Sequence, residues 1–451
     1  MKRLLFISLI LSVVGCKDPE LVSPGKDYSG IIITEVAANA DKIATDSWVE
    51  ICNVSSKDID LTGLGIFLFD QNSDGEELTI MDGIIARAGE RMVFTTADMS
   101  LIRGISSDSS FEIVLGTSGG KTVVDKFSRD KDGAASKTVR YGSYQRIPED
   151  GNEWKITSQA TRRIRNYDVL PNGIWVWSTH IDDWMEGDFQ LLKDMKEKGY
   201  HHILLNYNAF DDEAKAVKTR QLIAAAKENG VKIHAWMQTF REGTTWVNPI
   251  ENLGGGQGRY KQEEFDRIIA KAARYIDDFD VDGIHLDYVR FSGVGANAAY
   301  ANNYSNGVTA GGAITEFCRQ LREYIDSRLE GVIVSAAMMT GNTLYYYGQE
   351  PSQMGKYIDI LMPMSYKYYS NKNNDNSWLR GTLRTFLEAT TTQIWAGIQS
   401  YTHVPGSENV IGMTPEQMLA DMAVVRSTKC TGLVMFRHKL GEYPDISDIW
   451  E

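Results

Sequence analysis

The spacing of apolar and polar positions divides the chain into two parts. From Ile31 to about Arg165 apolar residues recur at every second position in short runs. Ile31-Ile32-Ile33-Thr34-Glu35-Val36, Trp48-Val49-Glu50-Ile51, Leu64 to Phe69, Arg91 to Phe94, Phe111 to Leu115 and Thr122 to Asp125 read as strands, separated by Gly, Asn, Asp and Ser clusters. No segment of helical period intervenes, which predicts an all-β sandwich. After a basic connector at 161–170 the pattern changes to apolar strands alternating with amphipathic helices. Strands read at 173–178, 201–208, 231–240, 282–291, 332–339, 359–366, 393–401 and 432–439. Helices read at 188–198, 213–229, 263–279, 313–329, 378–389 and 415–427. The alternation predicts a (β/α)8 barrel over 170–451. A doubly wound open sheet is the alternative, but no Gly-rich phosphate loop follows any strand.

The fourth of these strands, Val281-Asp282-Gly283-Ile284-His285-Leu286-Asp287-Tyr288-Val289-Arg290-Phe291, organises the second part. Alternation puts Ile284, Leu286 and Tyr288 on one side and Gly283, His285, Asp287 and Val289 on the other. An apolar back against helices and a polar front place Asp287 at the C-terminal mouth, where (β/α)8 enzymes carry their chemistry. The plainer expectation is that Asp287 caps the next loop or pairs with Arg290. The same alternation lines the mouth with Trp175, Trp177, Asn206, Asn208, His234, Trp236, Gln238, His285, Tyr366, Gln399, Tyr401 and Arg437 or His438. Loops beyond the strands add Asp182, Trp184, Trp246, Asn248, Arg290, Tyr345 to Tyr347, Tyr368 and Tyr369. Aromatic faces beside amide and imidazole edges suit a sugar, whose C–H surfaces stack while its hydroxyls take directed hydrogen bonds.

Composition and charge narrow the partners. The 43% hydrophobic and 24% charged fractions of the 451 residues are those of ordinary globular protein, and a net charge of -13 argues against nucleic acid or an anionic membrane surface. Cysteines at 16, 52, 318 and 430 have neither disulfide-framework nor zinc-site spacing. His234, His285 and Asp287 amount to a partial metal-ligand set with no H-x-H or H-x-x-x-H pair, so no metal and no cofactor is expected. There is no G-x-S-x-G esterase elbow. Asp70-Gln71-Asn72-Ser73-Asp74-Gly75 has the opening spacing of a calcium loop, but Met81 stands where the bidentate Glu belongs, so a solvated hairpin turn is expected.

The first residues read as a processing signal rather than as fold. Met1-Lys2-Arg3 is basic, Leu4 to Val14 is apolar and too short to span a bilayer, and Gly15-Cys16 follows. Val13-Val14-Gly15-Cys16 resembles a bacterial lipobox, which implies lipidation at Cys16 and a signal peptide over 1–16. Lys17-Asp18-Pro19-Glu20 resembles the export signal of Bacteroidota surface lipoproteins, implying a lipid-anchored protein on the outer membrane, with 17–29 as tether and the lipid as its sole membrane contact.

Two further resemblances concern the folded parts. I-I-I-T-E-V, D-S-W-V-E-I-C-N-V and D-L-T-G-L-G-I-F-L-F-D, followed by R-I-P-E-D-G-N-E-W, resemble the lamin-tail domain over 30–165. This implies an immunoglobulin-like module without a catalytic set. Val231 to Trp236, Asp282 to Phe291 and Ile358 to Tyr366 resemble, in order, glycosyl-hydrolase barrels of the family 10-like type. In the related alpha-amylase type of barrel the fourth strand ends in D-G-F-R-x-D, whose last Asp is the nucleophile. The resemblance puts Asp287 on that position and His285 in place of the Arg. Against the chitinase pattern D-G-x-D-x-D-x-E, the essential Glu falls on Val289. Glycoside hydrolysis normally takes two carboxylates. Glu242 is the first choice for the second, Glu350 the next, with Asp182, Asp211 and Asp212 further back. The resulting expectation is a surface glycoside hydrolase acting on a poly- or oligosaccharide. Its rival is a non-catalytic glycan-binding lipoprotein on a degenerate barrel.

Overall fold

A computed structural model describes residues 26–38, 47–95, 98–99, 104–107, 109–117, 122–130, 143–157, 160–163, 166, 171–293, 304–328, 331–368, 372, 375–390, 392–404, 409–428 and 430–449. Cys16 and the rest of the expected N-terminal signal lie outside them. Eight strands close a parallel barrel in chain order: Gly173–Val176, His202–Asn206, Lys232–Gln238, Gly283–Asp287, Ile333–Met338, Ile360–Pro363, Gln393–Gln399 and Gly432–Phe436. Each lies inside a span expected from the apolar runs. Side chains at alternate positions explain the closure. Ile174, Val176, Ile203, Leu205, Ile233, Ala235, Ile284 and Leu286 turn outward into one apolar cluster with the helices. Trp175, Leu204, Trp236, Ile333, Ile360, Met362, Trp395 and Val434 fill the inside. Burying a residue such as Ile284 contributes about 2 kcal/mol.

The helices Ile181–Glu197, Glu213–Glu228, Gln262–Phe279, Ala310–Arg328, Asn376–Ala389 and Pro415–Arg426 wrap the outside. The first begins earlier than the period predicts, because Gly187, at φ +58°, breaks it between a short first turn and the amphipathic part. Between the fifth and sixth strands only Thr343–Tyr347 and Pro351–Met354 are helical. Among the described residues no helix is long and apolar enough to cross a membrane. Cys52, Cys318 and Cys430 are buried free thiols.

The N-terminal region is a β-sandwich. One antiparallel sheet runs Trp154–Thr157, Ser143–Arg146, Ile31–Ala37, Trp48–Asn53, Arg91–Thr95; the other runs Ser73–Ile80, Gly65–Asp70, Phe111–Thr117, Thr122–Arg129. Ile33, Val49 and Ile51 of the first share a core with Ile66, Leu68, Ile113 and Leu115 of the second. Strand Ser73–Ile80 is polar along most of its length, so the apolar period did not reveal it. At its start Asp70 accepts from Asn72 N and Ser73 Oγ, which closes a hairpin turn rather than a calcium loop, and Met81 is core.

Buried acids fasten the connector between the two parts. Glu35 accepts from Thr161 N at 2.9 Å and Thr161 Oγ1 at 2.8 Å, as well as from Gln145 and Ser143. Glu50 accepts from Arg163 N at 2.6 Å and Thr34 Oγ1 at 2.7 Å. Asn166 Nδ2 donates to Thr34 O. Across the connector, Arg162 donates to Gly355 O, Gln393 to Ala160 O and Arg87 to Ser327 O, while Arg163 lies 3.5 Å from Asp326. These partners lie at the N-terminal ends of the fifth to seventh strands or just before them. The sandwich therefore sits on the face of the barrel opposite Asp287.

Burial raises both carboxyls, and Glu50, which also faces the Glu35 charge, is pushed up to about 8. The folded state then holds a proton that the unfolded chain releases at ordinary carboxylate pH. Stability from Glu50 is complete below that range and is lost as pH rises toward 8. Glu50→Gln should therefore raise the thermal midpoint relative to wild type at pH 8 and change it little at pH 4. An equal loss at both pH values would mean that the carboxyl is ionised in the fold.

Candidate active site at the C-terminal mouth of the barrel

Asp287 is the last residue of the fourth strand and is partly shielded. Its Oδ2 accepts from Trp236 Nε1 at 2.9 Å and its Oδ1 from Tyr288 N at 2.8 Å. Burial raises its pKa, and the two donors with the Arg290 and Arg241 charges only partly oppose this. Among the described residues Asp287 forms no ion pair; Arg290 instead donates to Phe291 O at 2.9 Å. The expected structural pair with Arg290 is thus not made. Of the side chains on the inner faces of the eight strands, Asp287 is the one carboxylate.

Immediately beyond it the chain leaves the sheet. Tyr288 has φ +54°, a conformation uncommon outside glycine, which takes its ring off the outward face that strict alternation assigns it. The ring lies edge-on to Trp246, centroids 5.6 Å apart. The Arg290 guanidinium stands 4.6 Å from the Trp246 ring and 5.1 Å from that of Tyr347; that of Arg241 stands 4.6 Å from the Tyr288 ring. The hairpin carrying Arg241 and Trp246 is held to the third strand by Gly243 N donating to Gln238 Oε1. Across the mouth Trp177 packs on Trp236 at 5.0 Å, with Arg437 5.5 Å above its ring. Tyr366 stacks on Phe436 at 5.1 Å. Arg241, Tyr288 and Phe436 are additions to the sequence reading. Arg241 neighbours the chosen Glu242, and the backbone reversal that turns Tyr288 has no sequence signature.

Several expected sugar contacts are interior instead. Trp175, His234, His285, Asn206 and Tyr401 are at most 3% exposed, and Trp236 is 5% exposed, its ring in the cluster that fills the barrel while its Nε1 reaches Asp287. Trp175 Nε1 donates to His285 Nε2 at 3.0 Å, so the neutral ring carries its proton on Nδ1, which faces Ser335 Oγ at 2.9 Å. Burial pushes His285 down to about 3, so it brings no positive charge to Asp287 in place of the missing Arg. His234 meets His202 at 2.9 Å and is likewise pushed down to about 3. These residues are inner-facing as alternation requires, but they form the packed layers beneath the mouth. Gln399 is buried, its Oε1 accepting from Tyr368 N; Asn208 is exposed, donating its N–H to Asn206 Oδ1. Among the described residues no cluster of three or more His, Cys, Asp or Glu is placed to hold a metal ion.

Of the acids considered for a second carboxylate, Glu242, Asp182, Asp211 and Asp212 are engaged elsewhere. Glu242 pairs across its hairpin with Thr245, opposite in facing to Arg241 and Trp246, and its carboxylate lies 2.5 Å from Arg267 on an outer helix. That alternation turns it away from Asp287, contrary to its expected role. Asp182 binds Lys218, Asp211 binds Lys271, Arg274 and Tyr275, and Asp212 caps the helix at Glu213. Glu350 precedes the short helix at Pro351, with Ser352 Oγ at 3.4 Å. Asp183 is held by Lys439 at 2.7 Å and by His438; partial burial raises its pKa, but the hydrogen bonds from both, with the Lys439 charge, lower it on balance.

Residues 184–377 match the sequence model of a family described as "Putative glycosyl hydrolase domain". No curated protein matches the chain. Among solved structures the chain is similar to the PgaB (BpsB) glycoside hydrolase domain of Bordetella bronchiseptica, at 13% identity and TM-score 0.42, covering 59% of this chain and 94% of that one. It is similar to a chitinase of Chromobacterium violaceum ATCC 12472, at 11% identity and TM-score 0.42, covering 62% and 96%. It is also similar to the exo-beta-1,4-mannosidase Op5Man5 of Opitutaceae bacterium strain TAV5, at 14% identity and TM-score 0.43, covering 64% and 59%. Likenesses at this level do not bear on substrate or mechanism. The chain joins an N-terminal β-rich region to a glycosyl-hydrolase-like (β/α)8 barrel.

Proposed function

We propose that the chain is a glycoside hydrolase that cleaves a poly- or oligosaccharide at the C-terminal mouth of its barrel, with Asp287 as a reacting carboxylate. One observation carries this: the single carboxylate on the inner faces of the strands is partly shielded and hydrogen-bonded by Trp236 Nε1 and Tyr288 N, two residues whose rings pack on Trp177 and Trp246. A carboxyl raised by burial is suited to proton transfer near neutral pH. In the ionised form, the Trp236 and Tyr288 donors orient it toward a developing oxocarbenium centre. The family match over 184–377 supports the same class. The proposal includes attachment at the cell surface through lipid on Cys16, for which the lipobox resemblance is the support. Cys16→Ser should abolish lipid labelling, and normal labelling of that variant would remove the anchor from the proposal.

A second reading, a barrel that binds glycan without cleaving it, is favoured by the engagement of Glu242, Asp182, Asp211 and Asp212 away from Asp287. Incubating the full chain with a polysaccharide panel separates the two. New reducing ends support hydrolysis, whereas saturable binding with none, unchanged in Asp287→Asn, supports the binding protein.

A further inference from the structure

The mouth is richer in unpaired cations than a neutral sugar requires. Arg241 and Arg290 converge on the rings of Trp246 and Tyr288, beside Asp287. Among the described residues neither has an ion-pair partner, although most other arginines of the barrel do. The Nε of each is buried and has no acceptor, as is the Nε1 of Trp177 and the Nε2 of Gln399, both at strand ends around the same mouth. Residues 294–303, which continue from Arg290, contain no Asp or Glu. Arg437 adds a third guanidinium, over Trp177, with no described carboxylate in ion-pair reach. A protein of net charge -13 repels anions over most of its surface, so an anion-binding mouth needs local cations of this kind. The rings hold the guanidiniums extended without neutralising them; beyond the Arg290 bond to Phe291 O and the Arg241 bond to Tyr288, the Nε of each and the N–H groups these bonds do not use are left for an acceptor.

We infer that the sugar recognised at this mouth is anionic, a uronate or sulfated residue whose charged group is taken by Arg290 and Arg241 next to Asp287. Carboxylate and sulfate both match the guanidinium fork, and both are rich in acceptors, which the unpartnered donors around the mouth lack. Burial lowers the Arg290 pKa, a cost that a bound anion offsets. The inference rests on the reading of this mouth as a saccharide site, but not on cleavage.

The test uses the full chain with polygalacturonate, alginate, hyaluronate and chondroitin sulfate, each beside its esterified or desulfated counterpart, and with neutral xylan and β-glucan. At least one acidic glycan should bind, or be cleaved, with an affinity or KM at least about tenfold better than its neutralised counterpart. Arg290→Gln and Arg241→Gln, each first checked for a wild-type thermal midpoint, should erase most of that difference. Carboxylate and sulfate are told apart by which modification abolishes binding. Arginine-dependent binding without new reducing ends would uphold this inference while the hydrolase reading falls. Cleavage of a neutral glycan that needs Asp287 but is indifferent to both arginine variants would do the reverse. Binding of none of the acidic members would overturn the inference.

Discussion

Asp287→Asn should reduce glycan cleavage by roughly 10³-fold or more while leaving the thermal midpoint of the protein unchanged or slightly higher. The two halves of this expectation come from one geometry. Asparagine keeps the size of the side chain and one acceptor for Trp236 Nε1 or Tyr288 N, so it loses at most one hydrogen bond, about 1 kcal/mol. Against that loss it removes a carboxylate whose ionisation burial opposes and which has no ion-pair partner among the described residues. The chemistry has no such compensation, because an amide neither transfers the proton nor stabilises the cationic centre. A carboxylate present only for structure predicts the reverse, a lower midpoint with activity reduced in proportion. Thermal unfolding and reducing-end assays on the same preparation separate the two.

The largest stability effect is expected from Gly283→Ala, two turns of the pleat below Asp287. Gly283 lies beside His234 in the register of the third and fourth strands. A Cβ there would meet His234 Nδ1 at 2.2 Å and Cε1 at 2.6 Å. That ring is fully buried, hydrogen-bonded to His202 and unable to swing aside, so the strand itself must shift. Overpacking of this kind costs about 1–3 kcal/mol, and the displacement is passed along the strand to His285 and Asp287. Gly283→Ala should therefore lower both the thermal midpoint and activity. Adding His234→Ala should recover part of the stability, a coupling that a double-mutant cycle measures. Additive losses would mean that the two residues do not compete for the same space.

The barrel was legible because its signal is redundant. Eight apolar runs alternating with amphipathic helices leave few architectures, and an error of one or two residues at a strand end moves no strand. Asp287 was legible for the same reason, being the one acid in phase with the inner face. The sandwich was partly legible: Ser73–Ile80 is too polar to show a period, and Ser143–Arg146 is short. The site beyond Asp287 depends on what alternation does not encode. Inner-facing Trp175, His234 and His285 have the same phase as Asp287, and only depth in the barrel separates core from mouth. Glu242 and Arg241 are adjacent, and the hairpin's facing decides which one approaches Tyr288. The positive φ of Tyr288 is a tertiary outcome in a residue that ordinarily avoids it.

The central claim is that Asp287 performs the chemistry at this mouth, and the pH dependence of kcat/KM in Trp236→Phe tests it most directly. The indole N–H of Trp236 donates to Asp287 and holds its pKa below the level that burial alone would set. Phenylalanine keeps a ring against Trp177 but removes the donor. On the cleaved glycan, the limb of the profile belonging to Asp287 should move to higher pH in the variant, whichever protonation state is the active one. A profile whose limbs coincide with wild type, in a variant that folds and turns over substrate, would contradict the assignment of the chemistry to Asp287.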